Sequence, residues 1–301
     1  MIAPDKAHVV VEVHGILVTV DINGEPVRCS PMQGLNLYPV VGDHVRVRSA
    51  DQEGDHPVVF EVLPRRTSLA RLRRDNTRHG SSGAVEHVLA ANIDLAVIVA
   101  ALTRPPFHPR FIDRYMVLAQ RGGLDVAVAL NKADLGVEPP DLSVYRDLGL
   151  EIVKLSAKTG EGLGDLRALI EGKTVIFTGH SGVGKSSLVN ALHETAMAAV
   201  GEVGGKRGQG RHTTSRTSLY RLDETTAIVD TPGVRSLSMA GIPADELGEL
   251  FPEVSERAEL CKFRNCTHDH EPGCGVQAAV ESGEIARVRY ETYLRLLHEE
   301  E

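Results

Sequence analysis

The chain has 301 residues, of which 42% are hydrophobic and 4% aromatic, and its formal net charge is −8 at pH 7. These values predict a globular protein with two or three cores and exclude a uniformly basic nucleic-acid binder. No apolar run reaches the ~18 residues that a membrane span needs, and residues 1–20 lack the basic start and cleavage site of a signal peptide. We therefore expect a cytoplasmic protein without a membrane segment.

The first segment, residues 1–66, predicts a small β-barrel. Its apolar stretches are short, are separated by glycines and show no long helical pattern. They are Val9–Val13, Ile16–Val20, Val40–Val47 and Val58–Leu63. A barrel of the oligonucleotide-binding (OB) type is the natural candidate. Tyr38 and Phe60 are its only aromatic residues, so stacking surfaces for bases are scarce and a barrel used only for packing or docking stays the alternative.

Two basic stretches interrupt an otherwise acidic chain. Six arginines lie between Arg65 and Arg78 with Asp75 as the single acid. The second stretch has no intervening acid and holds Lys206, Arg207, Arg211 and Arg216. Contact with RNA and a plain solvated surface are both open for these stretches.

Residues 67–239 predict an α/β domain built on a parallel sheet, because apolar strands alternate with helices from Ala91 onward. The expected strands are Leu95–Leu102, Val126–Leu130, Glu151–Leu155, Thr174–Thr178 and Ala227–Val229. The expected helices are Phe111–Arg121, Gly164–Glu171 and Lys185–Leu192. In such folds the chemistry lies where the strands end.

Two short motifs that follow predicted strands indicate guanine recognition. They are Asn131, Lys132, Ala133 and Asp134, and then Ser156, Ala157 and Lys158. The Asp134 carboxylate can accept bonds from the ring N–H and the amine of guanine. Adenine has no such donor pair and would leave the carboxylate unpaired. We expect Asn131 to tie this loop to the phosphate-binding loop, the Lys132 stem to lie along the base, and the Ala157 N–H to meet the guanine carbonyl.

A phosphate-binding loop (P-loop) follows the strand at Thr174–Thr178 and opens a helix. Its residues are Gly179, His180, Ser181, Gly182, Val183, Gly184, Lys185, Ser186 and Ser187. The spacing G-x-x-x-x-G-K-S in this strand–loop–helix context is specific for nucleotide phosphates. Backbone N–H groups and the helix N-terminus face the phosphates, Lys185 reaches the β and γ phosphates, and the Ser186 hydroxyl ligates Mg²⁺.

Two switch segments are expected after the P-loop. Asp230 ends a strand and is expected to hold Mg²⁺ through a water, and the Gly233 N–H is expected to face the γ-phosphate. The next residue is Val234, whose aliphatic side chain cannot position the attacking water, so hydrolysis by the free protein should be slow. The first switch should lie within the glycine-rich run 200–216.

One threonine of the first switch should close over Mg²⁺. We favour Thr214 over Thr213, and the spacing leaves both open. His212 can position water or can simply be a solvated loop histidine.

The base-reading motifs precede the P-loop, which is the reverse of the usual order in GTPases. That order predicts a circularly permuted GTPase.

The last segment, residues 240–301, predicts a metal-binding module and a charged helix near 284–300. Cys261, Cys266, His268 and Cys274 supply three thiols and an imidazole in a C-x4-C-x-H-x5-C spacing. Such a set without an open position predicts a structural Zn²⁺ site, with His270 as an alternative to His268. Cys29 stands apart and is expected to be a small buried residue.

Taken together, these motifs resemble the circularly permuted RsgA (YjeQ) family of bacterial GTPases. The resemblance rests on the P-loop, on the run from Gly210 to Thr214, on the run from Asp230 to Arg235 and on the Cys/Cys/His/Cys spacing, and it is strongest from Asn131 to Cys274. It implies an OB-type N-terminal domain, a zinc-containing C-terminal domain, and GTP hydrolysis stimulated by the immature small ribosomal subunit during late maturation. Members of this family often have a histidine a few residues after the second switch, where this chain has 236–241, SLSMAG.

The expected partners are therefore GTP or GDP, the small ribosomal subunit and its rRNA, and the expected cofactors are one Zn²⁺ and the Mg²⁺ that accompanies GTP. We expect a monomer in which GTP fixes the orientation of barrel and zinc module on rRNA and hydrolysis releases it. Two other functions stay open. One is a GTP-gated RNA-binding scaffold with negligible turnover, and the other is a GTPase that acts on a protein partner.

Overall fold

A five-stranded barrel begins the chain. The computed structural model describes residues 2, 5–50, 54–74, 84–200, 217–230 and 242–298. Strands β1 (Ala7–His14), β2 (Leu17–Ile22), β3 (Glu25–Pro31), β4 (His44–Arg48) and β5 (Val58–Val62) pair in the order β1-β2-β3-β5-β4, and β4 returns to β1. This closed order confirms the OB-type barrel. Alternate valines fill its interior together with Cys29, which is fully buried as expected.

A hairpin that the sequence analysis did not foresee follows the barrel. Strand β6 (Ser68–Arg74) pairs antiparallel with β7 (Ala84–Ala91). It contains part of the first basic stretch, whose end at Arg78 lies outside the described residues.

The first arginine of that stretch is part of the folded structure. Arg65 exposes only 14% of its side chain and pairs with the fully buried Asp43, with 2.8 Å between Nε and Oδ1. Its neighbour Arg66 pairs with Asp94 at 2.8 Å but stays mostly exposed. Arg65 is therefore neither a solvated residue nor an available RNA contact, since its guanidinium neutralises a buried carboxylate of the barrel.

The α/β part follows as six strands of a sheet in the order β10-β9-β8-β11-β13-β12. They are β8 (Leu95–Ala101), β9 (Asp125–Asn131), β10 (Glu151–Lys154), β11 (Thr174–Thr178), β12 (Ser218–Arg221) and β13 (Ala227–Asp230). All neighbours pair in parallel except β12 with β13. The central strand β8 is apolar throughout because helices cover both of its faces.

Four helices connect these strands and bury the two faces. They are α1 (Arg110–Arg121), α2 (Ser143–Asp147), α3 (Leu163–Ile170) and α4 (Lys185–Val200). Helices α1 and α2 contribute to one hydrophobic cluster, and α3 and α4 to the other. The predicted strands and helices of this part are confirmed to within a few residues, except that α4 extends beyond Leu192. The sheet also continues into the barrel, because Ser218 of β12 pairs with Glu12 of β1.

The C-terminal module packs on α1. Its helices are α5 (Ala244–Glu249), α6 (Pro252–Ala258), α7 (Gly275–Ser282) and α8 (Arg287–Leu297). Residues such as Phe251, Val276 and Tyr293 belong to the same hydrophobic cluster as Ile112 and Met116 of α1. The module and the α/β part therefore share one core.

A buried ion network crosses this contact. Arg289 of α8 is 1% exposed, and its guanidinium donates to Asp113 of α1 and to Glu253 of α6, each at 2.6 Å. The same guanidinium lies over the Phe251 ring, 4.6 Å from its centroid. Burial lowers the pKa of Arg289, but its two carboxylate partners outweigh burial and raise it, so the guanidinium stays charged.

Within the described residues, no helix is both long and apolar enough to cross a bilayer.

Candidate nucleotide site and metal centre

The predicted nucleotide-binding residues meet at the carboxyl edge of the parallel sheet. Asn131 is the last residue of β9, Ser156 follows β10, Gly179 follows β11 and Asp230 ends β13. These strands belong to one sheet, so residues that are up to 99 positions apart in the chain lie at the same edge. The permuted order of the motifs does not disturb this geometry.

Two glycines of the P-loop are required by close contacts. Gly179 has φ +138°, and a Cβ there would lie 2.2 Å from the Val99 carbonyl oxygen. Gly184 has φ +98°, and a Cβ there would lie 2.4 Å from the Asn131 side-chain nitrogen. Larger residues would therefore displace β8 or Asn131 as well as strain the loop.

Asn131 joins three loops and is 2% exposed. Its Nδ2 donates to the Val183 carbonyl at 2.9 Å, which is the predicted tie to the P-loop. Its Oδ1 accepts from the Lys132 N–H at 2.8 Å and from the Ala157 N–H at 3.0 Å. A contact between the Ala157 N–H and a guanine carbonyl stays a prediction, and it requires this N–H to be shared with Asn131 or exchanged.

Asp134 is oriented by Ser156. The Ser156 hydroxyl donates to Asp134 Oδ1 at 2.7 Å, and Lys158 Nζ lies 3.8 Å from Oδ2. Ser156 Oγ also accepts the N–H groups of Lys158 and Thr159, each at 3.2 Å. One hydroxyl thereby connects the two base-reading motifs and holds the carboxylate in place.

Two lysines bond to carbonyls near the P-loop. Lys132 has φ +68°, and its Nζ donates to the carbonyls of Arg104 and Gly182. Lys185 Nζ donates to the carbonyls of Gly179 and His180, each at 2.7 Å. Both ammonium groups are held beside the loop that would receive phosphate.

An apolar cavity of about 320 Å³ lies beside the P-loop. The rings of His180 and Phe111 meet edge to face, with centroids 4.5 Å apart. Phe107, Tyr115 and Val183 complete much of the wall. The P-loop therefore touches the first turn of α1, the helix that carries Asp113.

Several predicted switch residues lie outside the described residues. These are His212, Thr213, Thr214, Gly233 and Val234. Asp230 is described at the end of β13 and is partly buried. Its role toward Mg²⁺ stays a prediction.

The clustered cysteines and one histidine form a compact candidate metal centre. The candidate ligand atoms of Cys261, Cys266, His268 and Cys274 all lie within 4.8 Å of one another. His268 Nδ1 is 3.4 Å from Cys261 Sγ and 3.5 Å from Cys274 Sγ, and these two sulfurs are 3.9 Å apart. Tetrahedral bonds of ~2.0 to 2.3 Å from one ion would place the ligand atoms at similar separations. These four residues can therefore hold one metal ion.

The alternative ligand His270 is not part of this cluster. Its side chain is 80% exposed and faces Asp269. His268 is 6% exposed and has φ +63°, a left-handed conformation that turns its ring toward the thiols. His268 is thus the histidine that the fold brings to the cysteines.

The loop around His268 is held by residues that sequence reasoning missed. Glu271 accepts hydrogen bonds from the N–H and hydroxyl of Thr267 at 2.8 and 2.7 Å. Although burial raises the pKa of Glu271, these and further backbone bonds hold it at about 2. Tyr290 and Tyr293 of α8 donate their hydroxyls to the carbonyls of His268 and Thr267. Only the position of Glu271 between two ligand residues signals this role in the sequence.

Burial makes thiolates of this cluster costly in the absence of a cation. Burial raises the pKa of Cys266 to about 12 and also raises the pKa of Cys274. A thiolate in this place is costly unless a positive charge faces it, and a metal ion supplies that charge.

Comparison with known proteins gives one consistent family. Residues 62–240 match the family model described as RsgA GTPase. A small ribosomal subunit biogenesis GTPase RsgA from Chlorobaculum tepidum is 41% identical over 287 residues, which cover 91% of each chain. A protein of the same name from Porphyromonas gingivalis is 37% identical over 269 residues, covering 86% of this chain and 84% of its own.

Two solved structures share the fold. The crystal structure of YjeQ from Thermotoga maritima has a TM-score of 0.70 and 32% identity, and the match covers 98% of this chain and 99% of that one. The structure of YloQ, described as a circularly permuted GTPase, also has a TM-score of 0.70, with 26% identity and coverage of 98% and 95%.

Proposed function

The chain belongs to the RsgA GTPase family, and from this membership we propose that it is a GTP-dependent switch that binds the small ribosomal subunit and assists its late maturation. GTP hydrolysis and a role in ribosome biogenesis follow from the family itself.

The observation that carries the proposal is the set of bonds made by Asn131. One buried amide connects the base-reading motif to the P-loop and to the loop of Ala157, so base and phosphate sites are fixed relative to each other. Asp134 then selects guanine, and Lys132 and Ala157 line the base. The phosphate contacts come from the backbone of 179–187 and from the Lys185 ammonium, which has to leave the two carbonyls that it now contacts.

Two metal ions are part of the proposal. Ser186, Thr214 or Thr213, and Asp230 through a water would hold Mg²⁺, which would supply positive charge to neutralise the phosphates. Cys261, Cys266, His268 and Cys274 would hold Zn²⁺, since three thiols and one imidazole fit its preference and leave no open position. A bound Zn²⁺ would have a structural role, because Cys274 also caps α7 and the tyrosines of α8 bond to the same loop.

We propose three functional parts, with residues 1–66 as the barrel, 67–239 as the GTPase domain and 240–301 as the zinc module. Support comes from the end of β5 at Val62 and from the family match over residues 62–240. The protein acts as a monomer in the cytoplasm, where barrel and zinc module contact rRNA. Because Arg65 pairs with Asp43, we expect the basic contact with rRNA to come from the neighbouring arginines instead of Arg65.

Hydrolysis should be slow in the free protein and faster on the subunit. Val234 follows Gly233 in the sequence and offers no polar group to orient water. In known GTPases a catalytic group from a partner raises the rate ~10³- to 10⁵-fold.

The test is GTP hydrolysis by the purified protein with and without small ribosomal subunits. Lys185→Ala is the blank, and Lys154→Ala, which alters an exposed lysine of β10, is the matched control. Stimulation in wild type and Lys154→Ala but not in Lys185→Ala supports the proposal. Tight subunit binding with unchanged turnover supports the GTP-gated scaffold instead.

A further inference from the structure

A compact polar tip projects from the metal centre. Residues 262–265 are all exposed and lie between Cys261 and Cys266, two of the four candidate metal ligands. They are Lys262, Phe263, Arg264 and Asn265. We refer to these four residues as the knuckle tip. Because both of its flanking residues are candidate ligands, a bound metal would fix its backbone and a partner would not have to order it.

The knuckle tip combines an aromatic face with two cations. Phe263 leaves 42% of its surface exposed, although a phenylalanine in a globular protein is usually buried. Lys262 Nζ lies over this ring, 5.5 Å from the centroid. Within the described part of the chain, the side chains of Arg264 and Asn265 make no hydrogen bond or ion pair. These groups are available to a partner.

A cleft of about 480 Å³ opens beside the tip. It is lined by Phe263, Arg264 and Asn265 of the tip and by Asp245 and Glu249, which lie near the two ends of α5. The lining therefore combines an aromatic ring and hydrogen-bond donors with two carboxylate acceptors.

We propose that the knuckle tip and this cleft form a binding site for one unpaired nucleotide of single-stranded RNA. The base stacks on Phe263, its acceptor edge faces Arg264 and Asn265, and its amine faces Asp245 or Glu249. The adjoining phosphate stays outside the cleft near Lys262, since the two carboxylates repel it. Aromatic stacking with edge recognition is the general mode by which proteins read unpaired RNA bases.

The charges of the cleft favour a base over the other ligands that such a surface can take. An anionic peptide would meet Asp245 and Glu249, and a wholly apolar peptide would leave Arg264 and Asn265 unpaired. A base suits both the donors and the carboxylates because one edge carries donors and acceptors together. The two carboxylates favour bases with an exocyclic amine, so adenine, guanine and cytosine fit better than uracil.

This inference rests on the proposed function in that the RNA is the rRNA of the small subunit. The test therefore uses two probes with the full-length, metal-loaded protein. The first probe is the small ribosomal subunit. The second is an unstructured RNA pentanucleotide with 2-aminopurine at its centre, whose fluorescence falls when the base stacks on an aromatic ring.

Phe263→Ala and Phe263→Trp are compared with Val288→Ala, which alters another exposed apolar residue of the same module. We expect Phe263→Ala to weaken binding of both probes roughly 10-fold and to abolish the fluorescence change, because one stacked base is lost. Phe263→Trp should retain both signals, and Val288→Ala should match wild type. Basal GTP hydrolysis and metal content should be unchanged in all three variants.

A charge variant tests the phosphate contact separately. Lys262→Ala should weaken binding mainly at low salt and reduce the slope of log K against log salt by about one.

The outcomes separate this inference from the proposed function. Subunit binding that is equal in Phe263→Ala and wild type overturns the site and leaves the proposed function intact. Weaker subunit binding without any oligonucleotide signal overturns it in favour of a ribosomal protein as the contact. Oligonucleotide binding that depends on Phe263, without binding of wild type to subunits, supports the site and contradicts the proposed function. Failure of wild type to bind either probe overturns both.

Discussion

Arg289 and Asp113 form a buried ion pair between residues 176 positions apart, with 2.6 Å between guanidinium nitrogen and carboxylate oxygen and each residue 1% exposed. Asp113 lies two residues after Phe111 in α1, and the ring of Phe111 touches His180 of the P-loop. Arg289 lies on the helix whose tyrosines hold the carbonyls of Thr267 and His268. A continuous set of contacts therefore joins the phosphate-binding loop to the metal loop.

Removal of the cation should destabilise the protein strongly. Arg289→Met leaves the buried Asp113 and the partly buried Glu253 without their cation, and we expect a loss of about 3 to 5 kcal/mol in the free energy of unfolding by urea. Arg257→Met removes the exposed pair with Glu284 and should cost under about 1 kcal/mol. A similar loss in both variants would contradict this role of the buried network.

Replacement of the base-reading carboxylate should change nucleotide preference. In Asp134→Asn the amide donates where the carboxylate accepts, so it repels the guanine donors and suits the extra carbonyl of xanthine. We expect GTP affinity to fall on the order of 10²-fold or more and XTP affinity to rise, as measured by competition against a fluorescent nucleotide. Asp165→Asn, on the exposed side of α3, should leave both affinities unchanged. Unaltered GTP affinity in Asp134→Asn would show that guanine is read elsewhere.

The Asn131 amide should be needed for both base and phosphate binding. Asn131→Asp keeps the acceptor for Lys132 and Ala157 but replaces the donor to Val183 with a carboxylate oxygen that faces a carbonyl. We expect weaker binding of GTP and GDP alike and a stability loss of about 1 to 3 kcal/mol. The control is Asn190→Asp on the exposed face of α4. Nucleotide titration measures the loss of affinity and urea unfolding measures the loss of stability in both variants.

The metal content should depend on the clustered cysteines and not on Cys29. Cys274→Ser removes a ligand that also caps α7, and it should lower bound zinc well below one per chain and expose the C-terminal module to proteolysis. Cys29→Ser alters a buried cysteine of the barrel and should retain one zinc per chain, even though it also lowers stability. Metal analysis after dialysis distinguishes them, and full zinc content in Cys274→Ser would remove Cys274 from the ligand set.

The turn before β13 should give a pH-dependent contribution to stability. Burial raises the pKa of Asp223, but hydrogen bonds from Thr225 and Thr226 outweigh it and hold the pKa at about 2. Because the folded pKa is below the unfolded value, the contribution is fully present above about pH 4 and is lost as the pH falls toward 2.

Asp223→Asn should therefore lower the unfolding free energy by about 1 kcal/mol at pH 7, after allowance for solvent screening, and the difference should shrink between pH 4 and pH 3. Asp165→Asn is again the control. A difference that is constant over this range would mean that Asp223 acts through geometry rather than charge.

The sequence predicted the α/β part well because strong local signals coincide there. Thr174–Thr178 is an apolar strand that ends at a glycine-rich loop, and the observed β11 has the same limits. The hairpin β6–β7 was missed because its first strand reads Leu-Arg-Arg near its end, and only the pairing with Ala84–Ala91 makes it a strand. Strand β3 was also missed, because Pro26 and Pro31 weaken its local strand signal and only its pairing with β2 and β5 makes it a strand.

The burial of charged side chains could not be predicted from the sequence. Arg289 stands in a helix of charged residues that predicts a solvated face, and nothing local distinguishes it from Arg287 or Arg295. Its burial depends on Asp113 and Glu253, which other segments supply. Likewise, the sequence around Arg65 is compatible with a solvated basic surface, and only the fold brings Asp43 beside this arginine.

The pairing of β1 with β12 also affects how the chain folds as it is synthesised. Glu12 emerges from the ribosome long before its partner Ser218. Likewise, β8 is synthesised well before β11, which is one of its two neighbours in the sheet. The barrel can close early because β1 to β5 are contiguous in sequence, but the parallel sheet depends on contacts of high sequence separation, which form slowly. A nascent chain that stalls before Thr174 therefore has a finished barrel and a base-reading edge but no P-loop strand, so nucleotide cannot stabilise it until most of the protein has been made.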